Sequence, residues 1–303
     1  MNKRQYRTTL IAFGVIAIGF IIANATKIID INWLWIFIII SAGYIYIRYK
    51  ISAPLQTFST RFNMLVDYDL DVEGALKLAQ ENVDNAPNET VKSLFMIYLG
   101  MAYYYNSKYR EAINTFNQIN LAKVNHLYHV LIFAFTAYSA YEEEDLDTFN
   151  LAINRMDEVK NRVQKKYLGF AASYLEILKA IKNLEIDPEA YRDVIERNFS
   201  REDGYLSTKL VYNYRMAHYY ETVGNVEEMD KCLAKVIANG KTHHTAVRAE
   251  EMFKNTCNID DFVFPDPAIK VEDAGDVEVI EDPLQIESLD EVEVVEEKEE
   301  NIE

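Results

Sequence analysis

The first fifty residues hold two long apolar runs with almost nothing between them. No charged residue occurs from Thr8 to Thr26 or from Ile31 to Ile47, and Lys27 and Asp30 are the charges that separate the runs. A helix needs about 20 mostly apolar residues to cross the hydrocarbon core of a bilayer, and about 17 suffice when the flanks anchor well. Two consecutive helices that are apolar all round have no polar face to offer water, so they do not suit a soluble protein. The pattern predicts a transmembrane hairpin over residues 1–50, with spans at 8–26 and 31–47.

Basic residues set its orientation. Lys3, Arg4 and Arg7 precede the first run, Arg48, Lys50 and Arg61 follow the second, and the loop has one Lys against one Asp. Positive charge stays on the cytoplasmic side, which puts both ends of the hairpin inside. Trp33 and Trp35 at one end of the second run, and Tyr44 and Tyr46 at the other, fit an interfacial aromatic belt. A second reading of the first run is a signal peptide, with Ala23-Asn24-Ala25 as its cleavage site; the second run would still return the chain to the cytoplasm. Neither run carries an ionisable residue, the usual mark of a transport path, so an anchor is expected rather than a pore. Gly19 and Ala23 offer a small-residue contact between the two helices.

Charge is unevenly spread. The chain carries a net −17, yet residues 271–303 alone contain 15 Asp or Glu against one Lys. That stretch has no aromatic residue and too little apolar surface to offset the entropy of ordering, so 259–303 is expected to be a disordered acidic tail. Such a tail repels nucleic acid and anionic lipid. Its DVEVIED and DEVEVVEE segments alternate acid with Val or Ile, a pattern able to add a strand to a partner's sheet or to dock on a basic partner. Cys232 and Cys257 read as free thiols in a reducing cytoplasm.

Between anchor and tail, residues 51–258 are poor in Gly and Pro and show apolar residues at three- and four-residue spacing. The domain is expected to be all-α. Within it, the segment SLFMIYLGMAYYYNSKYREAINTFNQI from Ser93 carries a Leu99-Gly100 pair, Tyr103 three residues on, Ala112 opening a second helix and Phe116 one turn later. Gly100 and Ala112 are small where two antiparallel helices would cross, and Leu99, Tyr103 and Phe116 are large on either side. In these residues the segment resembles the tetratricopeptide repeat, a helix-turn-helix unit of about 34 residues.

Related units lie at Thr57–Val66 with Glu73–Pro87, and at Val130–Met156; Tyr167–Asn183 with Pro188–Phe199 aligns loosely, and Leu210–Val236 returns to the pattern. Thr242–Lys254 suits a solvated capping helix. The first three units recur every 37 residues rather than 34. The resemblance implies an α-solenoid of about five helix pairs plus a cap, whose first helices line a concave face that receives a protein or peptide. On that mapping the face comprises Leu94, Ile97, Tyr98 and Met101, then Leu131, Ala134, Phe135 and Tyr138, then Val211, Tyr214, Arg215 and His218. These are mostly apolar, which favours an amphipathic helix or apolar peptide over a C-terminal carboxylate. The same side chains could instead pack against neighbouring helices.

Signs of chemistry are sparse. His126 and His129 lie one turn apart and His243-His244 are adjacent, with no ligand set to complete a metal site, and they read as surface histidines. Glu142-Glu143-Glu144-Asp145 reads as a solvated turn. No phosphate-binding glycine loop or nucleophile motif occurs, so neither cofactor nor catalysis is expected. The sequence reads as a bacterial-style adaptor in the plasma membrane with its helical domain in the cytoplasm. One alternative is an assembly or regulatory subunit of a larger membrane complex. The other is an enzyme with a helical active site, which would need a cluster of buried polar residues.

Overall fold

The computed structural model describes residues 3–29, 31–200 and 204–264. Every regular element among them is helical. Helix α1 (Lys3–Ala25) contains a 19-residue apolar stretch, Arg7–Ala25, of mean hydropathy 2.1, none of whose residues is fully buried. It is the one helix among the described residues long and apolar enough to cross a membrane. The second apolar stretch, Trp33–Ile47, is shorter than that and forms the first half of α2 (Trp33–Asn63). Asn24 ties the connection, its Oδ1 accepting from the Ile31 amide at 2.9 Å. The small residue at the helix contact is Gly43 rather than Gly19: a Cβ on Gly43 would lie 2.4 Å from the Phe13 ring, whereas Gly19 has open space around it.

Helix α2 does not stop at the end of its apolar half. It continues for 31 residues in all, about 46 Å at the α-helical rise, and its last turns are core. Leu55, Phe58 and Phe62 are buried, with Phe58 4.8 Å from Phe95 and Phe62 5.1 Å from Tyr98, ring centre to ring centre. A five-residue π-helical segment, Met64–Tyr68, ends it.

Five helix pairs follow from that point. The end of α2 pairs with α3 (Val72–Asp84), α4 (Glu89–Tyr105) with α5 (Tyr109–Asn117), and α6 (His126–Glu142) with α7 (Leu146–Val159). Helix α8 (Leu168–Lys182) pairs with α9 (Pro188–Phe199), and α10 (Leu206–Thr222) with α11 (Val226–Asn239); α12 (His244–Met252) closes the series. Asp and Asn start most of these helices. Asp71, Asn88, Asn125, Asp145, Asp187 and Asn225 each turn a side-chain oxygen onto an amide of the first turn, replacing a partner the helix cannot supply itself.

The second helices of the first three pairs begin at Val72, Tyr109 and Leu146, 37 residues apart, and the next begins 42 on, at Pro188. The extra five residues lengthen α7 to 14 residues against the 9 of α5. Within four of the five pairs the helices are joined by the same three-residue turn, whose middle residue has a positive φ: Leu70 (50°), Ser107 (57°), Glu144 (59°) and Gly224 (74°). Inside the second pair Gly100 lies under Phe116, so closely that a Cβ there would be 2.4 Å from the ring. Leu99 and Ala112 are buried beside that contact and Tyr103 is half-buried.

The row of pairs turns back on itself. Ser207 Oγ donates to Asp67 Oδ1 at 2.6 Å, Lys241 Nζ to the Asp69 carbonyl at 2.5 Å, and the Tyr68 and Tyr205 rings meet edge to face at 4.9 Å. Thus the last pair seats on the turn inside the first pair, between α2 and α3. Beyond α12 the chain runs back along α11. Asp230, fully buried, accepts from the amides of Lys254 and Thr256, and the Asn239 side chain pairs with Phe262 and Phe264. Residues 259–264 therefore belong to the helical domain rather than to the tail, and the rest of the expected tail, 265–303, lies outside the described residues.

Candidate functional site

The face expected to hold a partner is filled by the chain. Leu94, Ile97, Tyr98, Met101, Leu131, Ala134, Phe135, Tyr138, Tyr214 and Arg215 are all buried, and Val211 and His218 are half-buried. The first helices of successive pairs pack on one another through large rings: Phe58 stands 5.1 Å from Tyr98, Tyr104 5.4 Å from Phe135, and Tyr138 6.4 Å from Tyr174. Closure of α10 onto the Met64–Tyr68 segment completes the enclosure. Among the described residues these side chains belong to the inner core, Val211 and His218 at its margin.

At the centre lies a polar cluster drawn from five helices, α4, α6, α9, α10 and α12. Glu142 ends α6, and its side chain is 3 % exposed. Its Oε2 accepts from the Tyr214 hydroxyl at 3.1 Å and faces Arg248 Nε at 3.3 Å. Arg248, from α12, also donates through Nη2 to the Glu142 backbone carbonyl, one of the terminal carbonyls that α6 leaves without a helical partner. Its Nη1 turns outward to Glu251 at 2.8 Å. Arg215, from α10, points Nη2 toward Glu142 Oε1 at 4.0 Å. The rings of Tyr138, Tyr141 and Tyr214 surround its guanidinium at 5.6–5.7 Å, the distance at which a ring face attracts a cation. Tyr191 donates to the Arg215 carbonyl at 3.0 Å.

Two histidines complete the cluster. The His244 ring meets Tyr104 at 4.2 Å and His243 at 4.6 Å, tilted by about 50° to each. His243 starts α12, its Nδ1 lying 2.8 Å from the Thr245 hydroxyl and facing the Thr245 amide. Both are fully buried and neither is the surface histidine that the sequence suggests; Glu142 likewise is no solvated turn residue. His126 and His129 sit apart, 5.1 Å from each other, with His129 Nε2 on the carbonyls of Leu121 and Val124.

Burial sets the charge states. It pushes the phenols of Tyr104 and Tyr214 well up, and Tyr138 up to about 12. It drives the His243 imidazole down to about 3, and the His244 imidazole well down, with His243 and the two arginines adding to the effect. Burial works against the Arg215 cation, but the Tyr191 and Tyr104 oxygens and Glu142 outweigh it and hold the charge on. The phenols and imidazoles are thus neutral and the guanidinium charged across the whole neutral range. General acid–base catalysis calls for a group whose pKa lies near the working pH, and these side chains are set away from it.

The arrangement is a brace: it joins the end of α6 to α10 and α12 through one carboxylate and two guanidiniums. Some of its polar atoms have no hydrogen-bond partner among the described groups, namely Glu142 Oε1, Arg215 Nη1, His243 Nε2 and both nitrogens of His244. Among the described residues no set of three or more His, Cys, Asp or Glu is placed to hold a metal ion. Cys232 and Cys257 are free thiols, and burial raises the pKa of both.

No family model matches the chain, and neither a curated protein nor a solved structure matches it. What stands is an all-helical protein of antiparallel helix pairs with an exposed apolar helix at its N terminus.

Proposed function

We propose that the chain is a membrane-anchored adaptor of the tetratricopeptide-repeat kind. Its α1 and the apolar half of α2 form a hairpin in the bilayer, and its helical domain meets a protein partner at the cytoplasmic face. The observation that carries this is α2 itself. Ile38, Ile39, Tyr44 and Ile45 on its first half are exposed in a way water would penalise, while Leu55, Phe58 and Phe62 on its second half are core. One unbroken helix thus couples the apolar segment rigidly to the domain. Repeat character is supported by the 37-residue recurrence of helix starts and by the recurring positive-φ turn.

Because the inner face is filled, the partner docks on the outside of the array. Leu146, Ile186, Val223 and Val226 are exposed at the turns that join the two helices of successive pairs, among Glu143, Glu144, Asp145, Glu185 and Asp187. Apolar side chains set among acids suit an amphipathic basic segment.

Proximity labelling of the full chain tests the reading when its first fifty residues are native or are replaced by an unrelated two-span anchor. An adaptor keeps its labelled partners with either anchor. Loss of those partners on the foreign anchor would assign the chain instead to a membrane complex assembled through the hairpin. A chain that stays in membranes at alkaline pH but begins after Ala25 would identify α1 as a cleaved leader.

A further inference from the structure

The two edges of the helical array carry opposite charge. The turns inside each pair, residues 69–71, 106–108, 143–145, 183–187 and 223–225, contain seven acidic residues and one basic. Between pairs, the connections 85–88, 118–125, 160–167 and 200–205, with 240–243 ahead of α12, contain seven basic residues and two acidic, Glu202 and Asp203. Consecutive helices are antiparallel, so these two sets lie at opposite ends of the helices in each pair.

Helix requirements explain the acidic edge in part, since Asp71, Asp145 and Asp187 are N-caps. They do not explain the basic edge. Four of its seven basic residues fall in 160–167, which has no acid: Lys160, Arg162, Lys165 and Lys166. Lys160 follows the C terminus of α7 and pairs with Asp157, which suits the helix dipole. Lys165 and Lys166, in contrast, stand just before α8, where the positive end of the dipole opposes a cation. Arg162, Lys165 and Lys166 are exposed, beside an exposed Leu168. Lys166 Nζ lies 4.8 Å from the Tyr167 ring centre, and two lysines kept against the local field beside an exposed Arg162 point to an anionic occupant.

We propose that this edge is the docking surface for the chain's own acidic segment, residues 271–303. Charge complementarity comes first: 15 carboxylates and one lysine face a connection without an acid. The point of departure agrees. Phe264 is held by Asn239 at the C-terminal end of α11, and α7 and α11 run parallel two pairs apart, so the chain leaves along the basic edge. Helix α11 reaches α7 through α10, α9 and α8, four packings of about 8–10 Å each, which bounds the distance from the exit to Arg162 and Lys165 at about 40 Å. The twelve residues 265–276 span up to about 40 Å when extended, enough to bring Asp276 and the acids after it into place. Alternating Val and Ile in the segment can cover Leu168. Docked, the segment shields the basic edge from other anions, and its release uncovers it. The proposal does not depend on the anchor reading.

Carbodiimide crosslinking of the full chain in a neutral detergent, read by peptide mapping, tests this. Zero-length links from Lys160, Lys165 and Lys166 to acids within 276–300 are expected at low salt. They should fall at least fivefold at 0.5 M salt, where the Debye length is about 4–5 Å, and in an Arg162→Glu, Lys165→Gln variant, whose changes are confined to exposed side chains. A mixture of light- and heavy-isotope chains should give no mixed pairs. Links confined to Lys241 and Lys254 beside the exit, mixed light–heavy pairs, or links unchanged in the variant would overturn the proposal. So would equal binding of anionic vesicles by the full chain and by a chain ending at residue 270, since the edge would then be open to lipid with the segment in place.

Discussion

Ser207 and Asp67, 140 residues apart in the chain, are joined by a hydrogen bond of 2.6 Å. That bond marks where the last helix pair seats on the first, and it decides the character of the inner face. Open, the array would offer Tyr98, Phe135 and Tyr138 to a partner; closed, those rings are core.

Ser207→Ala removes this donor from the Asp67 carboxylate. A hydrogen bond to a charged acceptor contributes about 1.5–3 kcal/mol, and Asp67 is half-buried, so a loss of about 1–2 kcal/mol in urea unfolding is expected. Amide exchange should quicken in residues 64–71 and in the first turn of α10 and little elsewhere. Uniform acceleration across all five pairs would show that the seam has no local role.

The recurring turn yields a second expectation. Glu144 is exposed with a φ of 59°, a region that costs a residue with a side chain about 1–2 kcal/mol. Gly224 occupies the equivalent place at 74°, with nothing near its missing Cβ. Glu144→Gly should stabilise the domain by about 0.5–1 kcal/mol, net of the freedom glycine adds to the unfolded chain, and Gly224→Ala should destabilise it by about the same. Thermal melts of both variants give the two signs, and equal signs would contradict the turn's geometry.

That turn also shows where the fold was legible in the sequence and where it was not. The 37-residue recurrence is visible in Ala75, Ala112 and the Gly100–Ala137 pair, because small residues must recur where helices cross. The positive-φ position is disguised, since only Gly224 announces it and Leu70, Ser107 and Glu144 do not. The fourth unit aligned loosely because α7 is longer by five residues, which shifts every later position. Burial on the inner face was unreadable for a different reason. An apolar first-helix surface is the same sequence whether it meets a partner or its own neighbours, and closure depends on Ser207, Lys241 and Tyr205, which carry no pattern. Glu142 sits in a run of four acids and gives no local sign that it alone turns inward to two arginines.

The histidines make stability depend on pH with a definite sign. Burial holds His243 down to about 3 and His244 well below its ordinary value. In the unfolded chain both titrate near 6.5. Below that pH the unfolded chain binds protons that the folded chain refuses, so the stability they confer is complete above about pH 7 and is lost as pH falls, for His243 down to about 3. Each contributes a loss of about 2 kcal/mol between pH 7 and 5. His244→Phe keeps a ring against Tyr104 and cannot titrate. Its unfolding free energy should fall over this window by about 2 kcal/mol less than that of the unchanged chain. Parallel pH profiles for the two proteins would mean that His244 is protonated in the fold.

The brace at the centre is the most sensitive place to break. Glu142→Gln preserves shape but leaves Arg215 and Arg248 facing a neutral amide, and an uncompensated buried charge costs about 3–5 kcal/mol. Arg215→Met fills the tyrosine cage with apolar atoms but strips Glu142 of one of its two cations; Arg248 remains, so a smaller loss of about 2–3 kcal/mol is expected. With both changes the carboxylate and the caged cation vanish together, while Arg248 keeps Glu251 outside and the carbonyl of residue 142 inside. The double variant should therefore lose about 1–3 kcal/mol less than the sum of the single losses. Denaturant unfolding of the three variants measures this coupling directly. Losses that add to within about 0.5 kcal/mol would mean that the 4.0 Å approach of Arg215 to Glu142 carries no energy. The cation would then be held by Tyr138, Tyr141 and Tyr214 alone.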